Sequence, residues 1–228
     1  MPNVTDHEAR GIREGTVTQI RRVVKPQPDL PKGFILEVPG PQSGRAIPVC
    51  WDCKLHGVKN DSPHSQLWLT EMAIESPLGK VGDVVGCKEK WCKPFTESRA
   101  GATGSDAGFI YLVDGPDFLP VIERAHNWPK SMKGVWKSAA SMPQKAIRTF
   151  IRLKSIRVER VQSMAEADAL ACGYKPLLDD SWREPGKKVT QVTAPENYAH
   201  AFDATNGKGS WASNPWVWVY SFAREGEK

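Results

Sequence analysis

Residues 147–161, IRTFIRLKSIRVERV, constrain this chain more than any other stretch. Apolar Ile151 and Leu153 alternate with Arg152 and Lys154, and a period of two is the signature of a half-buried strand. The alternation slips phase near Ser155-Ile156, which predicts a β-bulge in that strand. A strand of this length needs partners, and the sequence offers several. TVTQIRRVVK (16–25), FILEVPG (34–40), RAIPVCW (45–51), LWLTEMAI (67–74), VVGCKEKW (84–91) and FIYLV (109–113) are short and rich in β-branched or aromatic residues. WVWVYSF (216–222) reads as a closing strand, apolar on both faces. Two short helices fit HEARGIREG (7–15) and AEADALACG (165–173), each ended by a glycine.

Turns and loops separate these runs. PQPDLPKG (26–33) and SPLGKVGD (76–83) break regular structure, and residues 93–108 are small and polar. A Pro- and Lys-rich loop follows to about residue 140, and residues 179–200 read as irregular. Short helices among many strands predict an α+β fold, mainly β: a small β-barrel with short flanking helices and long inserted loops. With no internal repeat and no dividing linker, residues 1–228 read as one domain.

Composition excludes whole classes. Hydrophobic residues make up 40% and the mean hydropathy is −0.45, with no window approaching the roughly 20 apolar residues a membrane helix needs. The opening MPNVTDHEAR is polar and charged, unlike a secretory signal. The expectation is a soluble cytoplasmic protein. The formal net charge is +5, but it is unevenly spread. Between Lys130 and Arg160 nine basic residues face a single acid, Glu159, so the rest of the chain is net acidic. Clustered positive charge attracts polyanions, which points to nucleic acid or a nucleotide as partner. Nine tryptophans serve either as core or as stacking platforms for bases.

Five cysteines fit a reducing compartment, because the odd count argues against a disulfide framework. Cys50 with Cys53, and Cys87 with Cys92, have ligand-like spacings that could close a zinc site. The second spacing is wide and Cys87 lies in an apolar run, so separate thiols are the simpler reading.

The order of motifs resembles a known family. A short helix leads into GTVTQIRRVVK (15–25), and a Gly-x-x-Gly-Asp turn (79–83) leads into a strand carrying Lys88 and Glu89. Then come Met142-Pro143 with Arg148, the run SIRVERVQSM, the helix AEADALACG and the closing GKGSWASNPWVWVYSF (207–222). In this order the chain resembles the ASCH-domain proteins of bacteriophages and prophages, which have a PUA-like β-barrel. The resemblance implies a core of about 7–28, 76–91, 109–115 and 134–224, with insertions of about 29–75 and 93–135. It also implies RNA-related work in a cleft between the barrel and the first helix, in the bacterial host cytoplasm if the gene is a phage's. Some members remove the acetyl group from acetylated cytidine through a Lys-Thr-Glu constellation, and others have been credited with ribonuclease activity.

The chain departs from that constellation at each place. Val17 stands where the Lys belongs, Ile20 where the Thr belongs and Cys172 where the Glu belongs. Neither Val nor Ile can donate a proton or attack a carbonyl. In SMPQKAIR, Ser141 replaces the family's His, while Gln144 and Lys145 replace Arg and Trp. Scaffold residues survive better than polar cleft residues, as in a pseudoenzyme. The expectation is a protein that binds RNA, single-stranded nucleic acid or a nucleotide without hydrolysis and without a cofactor. Arg21, Arg22, Lys25, Arg148, Arg152 and Lys154 are its candidate phosphate or base contacts. Glu89 and Cys172 are the weak catalytic candidates for a rival reading, an amidohydrolase or ribonuclease with a rebuilt site. A second rival is a phage protein that binds and inhibits a host protein through the inserted loops.

Overall fold

The computed structural model describes residues 1–30, 34–40, 43–50, 73–92, 109–114, 136–179 and 190–226. The chain is mixed α+β and mainly strands. Helix α1 (Asp6–Glu14) precedes strand β1 (Gln19–Val23), β2 (Phe34–Glu37) and β3 (Arg45–Cys50). Next come β4 (Ile74–Glu75), β5 (Val84–Cys87), β6 (Trp91–Cys92), β7 (Ile110–Tyr111) and the long β8 (Thr149–Arg160). Helix α2 (Glu166–Ala171), β9 (Leu177–Asp179), β10 (Thr190–Val192), helix α3 (Ala194–Asn206) and β11 (Trp216–Glu225) complete the order.

The centre is an antiparallel four-stranded sheet in the order β1-β11-β8-β5. Strands β2, β3 and β4 form a second sheet, and β6-β7 and β9-β10 are short ladders. The expected barrel is not there. Among the described residues the central sheet stays open, with β1 and β5 as its edges. Its sides are covered by helices and by the second sheet instead of being closed by further strand pairing. The segment expected to be an insertion, about 29–75, supplies β2 and β3, and Leu36 and Ala46 from them lie in the same core as α1, β8 and β11.

The pattern in the long strand holds. Ile151, Leu153, Ile156 and Val158 of β8 are buried and the intervening residues are not. Ser155 pairs with Ser221 and Leu153 with Phe222, so Lys154 is the extra, bulged residue, one position before the predicted slip.

Strand β11 is apolar on both faces because both faces are covered. Trp216, Trp218, Tyr220 and Phe222 pack with Ile12, Val17, Ile20, Ile151 and Leu153. Val217 and Val219 pack on the other side with Val161, Met164, Cys172, Tyr198 and Phe202 from α2, α3 and their flanks. Each fully buried side chain of this size stabilises the fold by about 1.5–3 kcal/mol.

Helix α3 corrects the expectation that residues 179–200 are irregular. Thr193 caps it: its hydroxyl accepts from the Glu196 N–H at 3.4 Å, and the Glu196 carboxylate accepts from the Thr193 N–H at 2.7 Å. Pro195 sits in the first turn, where a missing N–H costs nothing. From the last turn of the helix, the Asp203 carboxylate accepts the N–H groups of Gly209 at 3.0 Å and Trp211 at 2.7 Å, folding the chain back toward β11.

Helix α1 is capped in the same way by Thr5 and Glu8, and Gly15 ends it in the left-handed conformation at φ 74°. Gly11 lets the segment leading into β1 approach this helix closely, since a Cβ there would stand 2.2 Å from Val17 Cγ2. Among the described residues no helix is long and apolar enough to cross a membrane.

Candidate functional site

Along the edge strand β1 runs a cleft of about 430 Å³, walled by α1, β1, the end of α2, and α3. Arg22, Lys25, Glu8, Tyr174, Tyr198 and Phe202 are its chemically useful lining. Consecutive residues of a strand point to opposite faces, so the Arg21-Arg22 pair is split by geometry.

Arg21 turns to the α2 side. Its Nη1 donates to Glu159 Oε1 at 2.7 Å, its Nη2 lies 3.1 Å from Asp168 Oδ2, and its Nε donates to Gln19 Oε1 at 3.2 Å. Arg157 joins the same network, donating to Glu159 at 2.9 Å and to Asp168 at 2.6 Å. The Arg21 side chain is 0% exposed. The expectation that Arg21 touches phosphate is therefore corrected: the residue borders the cleft, but its guanidinium is a buried brace committed to two carboxylates. Burial pushes the Asp168 carboxyl up, but hydrogen bonds from Gln19 and Arg157 and the charges of Arg157 and Arg21 hold it below its usual value.

Arg22 turns to the α1 side and meets Glu8. The guanidinium is about a quarter exposed at the cleft, and its other hydrogen bonds go to the carbonyls of Arg21 at 2.8 Å and Asn3 at 3.0 Å. Burial opposes its charge, and the facing Glu8 more than restores it, so Arg22 stays protonated. Lys25 is exposed at the mouth.

The lining contributed by α3 and the segment after α2 is aromatic. Tyr174 meets Tyr198 edge-on with ring centroids 5.2 Å apart, and Tyr198 continues into Phe202 at 6.0 Å. His7 lies against Tyr174 at 4.5 Å. Burial pushes the Tyr174 hydroxyl up to about 12, so the phenol is neutral and can donate.

Cys172 also lines the cleft. Burial pushes its thiol up to about 12, with Arg21 pulling weakly the other way. The thiol donates to Gln19 Oε1 at 3.7 Å. Val17 and Ile20, at the family's Lys and Thr places, are buried in the core and supply no polar group.

The remaining candidates lie elsewhere. Glu89, a weak catalytic candidate or else a partner for a cation, is the latter: it is 2% exposed and accepts from Arg148 at 3.0 Å and 3.2 Å, because the turn from β5 to β6 carries it under Arg148. Arg148 lines a second pocket, described below. Arg152 pairs with Glu225 and donates to the Gly82 carbonyl at 3.0 Å, and Lys154 is exposed on the bulge; neither lines either cavity. Three cations of the basic run, Arg148 just before β8 and Arg152 and Arg157 within it, are thus each set against a carboxylate.

Of the zinc candidates, Cys87 and Cys92 are separate buried thiols, the backbone of Cys50 lies in β3, and Cys53 lies outside the described residues. Among the described residues no cluster of three metal-ligating side chains occurs.

Four cleft residues, Glu8, Tyr174, Tyr198 and Phe202, escaped the sequence reading. Glu8 was legible as a capping-box acid in Thr-x-x-Glu, and Tyr198 as part of the helix announced by Thr193-x-x-Glu196. Fold and site together define a mixed α+β protein, mainly β, with an arginine- and tyrosine-walled cleft beside its first helix. No family model, curated protein or solved structure matches this chain.

Proposed function

We propose that this is an ASCH-type, PUA-like protein of phage kind that binds RNA, single-stranded nucleic acid or a nucleotide in the cleft beside α1, without amide hydrolysis. One observation carries the reading. The cleft brings Arg22 and Lys25 together with the half-buried ring of Tyr174, which the buried Tyr198 and Phe202 back from the core, within about 430 Å³. A cation for phosphate facing a π-surface for a base is the minimal equipment for one nucleotide unit. The place of the cleft, between the first helix and the sheet, is where the family resemblance puts RNA. Val17 and Ile20 are buried and apolar, and Cys172 is held as a neutral thiol, so the hydrolytic constellation has no working member.

Titration of labelled single-stranded RNA, single-stranded DNA, duplex DNA and free nucleotides across a salt series tests this, with Lys25→Glu and Tyr174→Ala alongside. The expected result is micromolar binding that weakens with salt and falls about tenfold in each variant. Absence of binding to every probe at low salt would sink the reading.

A further inference from the structure

A second pocket of about 420 Å³ is lined by Tyr111, Gln144, Lys145, Arg148 and Phe150, and by Met1, which also lines the first cleft. The two cavities therefore adjoin across one residue. Their equipment is alike. In the second, the Arg148 guanidinium lies 3.6 Å from the Tyr111 ring centroid, stacked on its face. Glu89 anchors that guanidinium from the buried side, and Tyr111 is fixed in turn by its hydroxyl donating to the Ala146 carbonyl at 2.7 Å. Arg148 is thus a positioned flat surface whose charge Glu89 offsets, which suits stacking more than phosphate capture. Lys145, exposed at the rim beside the exposed amide of Gln144, supplies the cation.

We infer that the natural ligand is a strand and not a single nucleotide: the first cleft takes one nucleotide and the Tyr111–Arg148 pocket takes a neighbour, with the chain crossing Met1. This rests on the reading of the first cleft given above. It explains why Lys145 and Arg148, remote from β1 in sequence, stand beside the cleft while Arg152 and Lys154 do not. A mononucleotide fills one cavity only, so affinity must climb with length until both are occupied.

The test measures binding of uridine 5′-monophosphate and of oligouridylates of increasing length to the full chain. Three variants accompany it: Lys25→Glu in the first cleft, Lys145→Glu in the second pocket, and Lys154→Glu. The last makes the same charge change at an exposed site that lines neither cavity. The expected result is an affinity gain of at least about tenfold from the monophosphate to short oligomers. Lys145→Glu removes that gain and leaves monophosphate binding within about twofold, while Lys154→Glu leaves the gain intact. Affinity that is flat with length, or a gain lost equally in Lys154→Glu, overturns the second subsite, and Lys25-dependent monophosphate binding would then leave the first cleft's role standing. No binding of any probe overturns both.

Discussion

Arg22 on β1 and Glu8 on α1 are joined by two parallel hydrogen bonds, Nη1 to Oε1 at 2.7 Å and Nη2 to Oε2 at 2.9 Å. Paired planar groups of this kind are stronger and more directional than single contacts. The same carboxylate accepts from the Thr5 N–H at 2.9 Å, so one side chain starts the helix and ties it to the strand at the cleft wall. Glu8 also sets what the cleft offers an anion, because it offsets the charge of Arg22, the partly exposed arginine of the lining.

Replacing Glu8 with Gln separates these roles. Glutamine can keep the capping-box hydrogen bond, so α1 should persist and the melting temperature should shift little. The Arg22 cation would lose its counter-charge. Binding of single-stranded RNA should tighten several-fold, and the slope of log affinity against log salt should steepen by about one ion. Fluorescence anisotropy across a salt series reads both. Unchanged affinity and slope would mean that Arg22 does not meet the ligand.

Arg21 gives the opposite expectation. Arg21→Met leaves Glu159 and Asp168 facing a buried position without its cation, which typically costs about 3–5 kcal/mol for a fully buried pair. Both acids are about one-fifth exposed and keep Arg157, so the loss should fall at about 3 kcal/mol or somewhat less. Urea unfolding measures it. Binding per folded molecule should survive, since the Arg21 side chain, although the residue borders the cleft, is 0% exposed and committed to Glu159 and Asp168. A variant that folds with native stability would show that the brace is dispensable.

These two arginines also show what the sequence could and could not tell. Extended structure at residues 16–25 was legible from β-branched residues, and with it the fact that neighbours on β1 part company. Which face held Glu159 and Asp168 was not legible, because those acids come from β8 and α2, far along the chain. The charge of residues 130–160 hides its partners for the same reason: three of its cations, Arg148, Arg152 and Arg157, are met by carboxylates outside the run, at Glu89, Glu225 and Asp168. The bulge at Lys154 was readable within one residue because alternation is local. Helix α3 was missed although the two-sided apolarity of β11 demanded a second covering layer. A strand buried on both faces is a statement about its neighbours, and the Thr-x-x-Glu signal at 193–196 was the place to look for one. Barrel closure depends on pairing between strands distant in sequence, and no local pattern reports that.

Asp168 should make the fold acid-sensitive. Its carboxyl is held below the ordinary value of 3.8 in the folded chain. A lowered folded value means that ionised Asp168 contributes stability above the unfolded value, and that this contribution fades as pH falls through 3.8 toward the folded value. Unfolding free energy measured from about pH 6 down to about pH 3 should therefore drop, and Asp168→Asn should flatten part of that limb while lowering stability at neutral pH. Identical acid limbs in the two proteins would show that Asp168 is not the group being titrated.

Cys172 decides between a binding protein and a rebuilt enzyme. It occupies the cleft position where the resemblance expects a carboxylate, and a thiol can act there only as thiolate. Burial among Val217, Val219, Tyr198 and Phe202 pushes it up to about 12, well past the usual 9.0. Native protein treated with iodoacetamide should thus show no titration step for Cys172 between about pH 7 and 10, and labelling at least about tenfold slower than in urea, as followed by peptide mass mapping. Cys172→Ser should leave RNA affinity within about twofold, since a small buried group beside Gln19 carries no binding charge. The combined result would leave the thiol as packing beneath the cleft. Rapid alkylation at neutral pH would instead reveal a thiolate, and would return the hydrolase reading to the front.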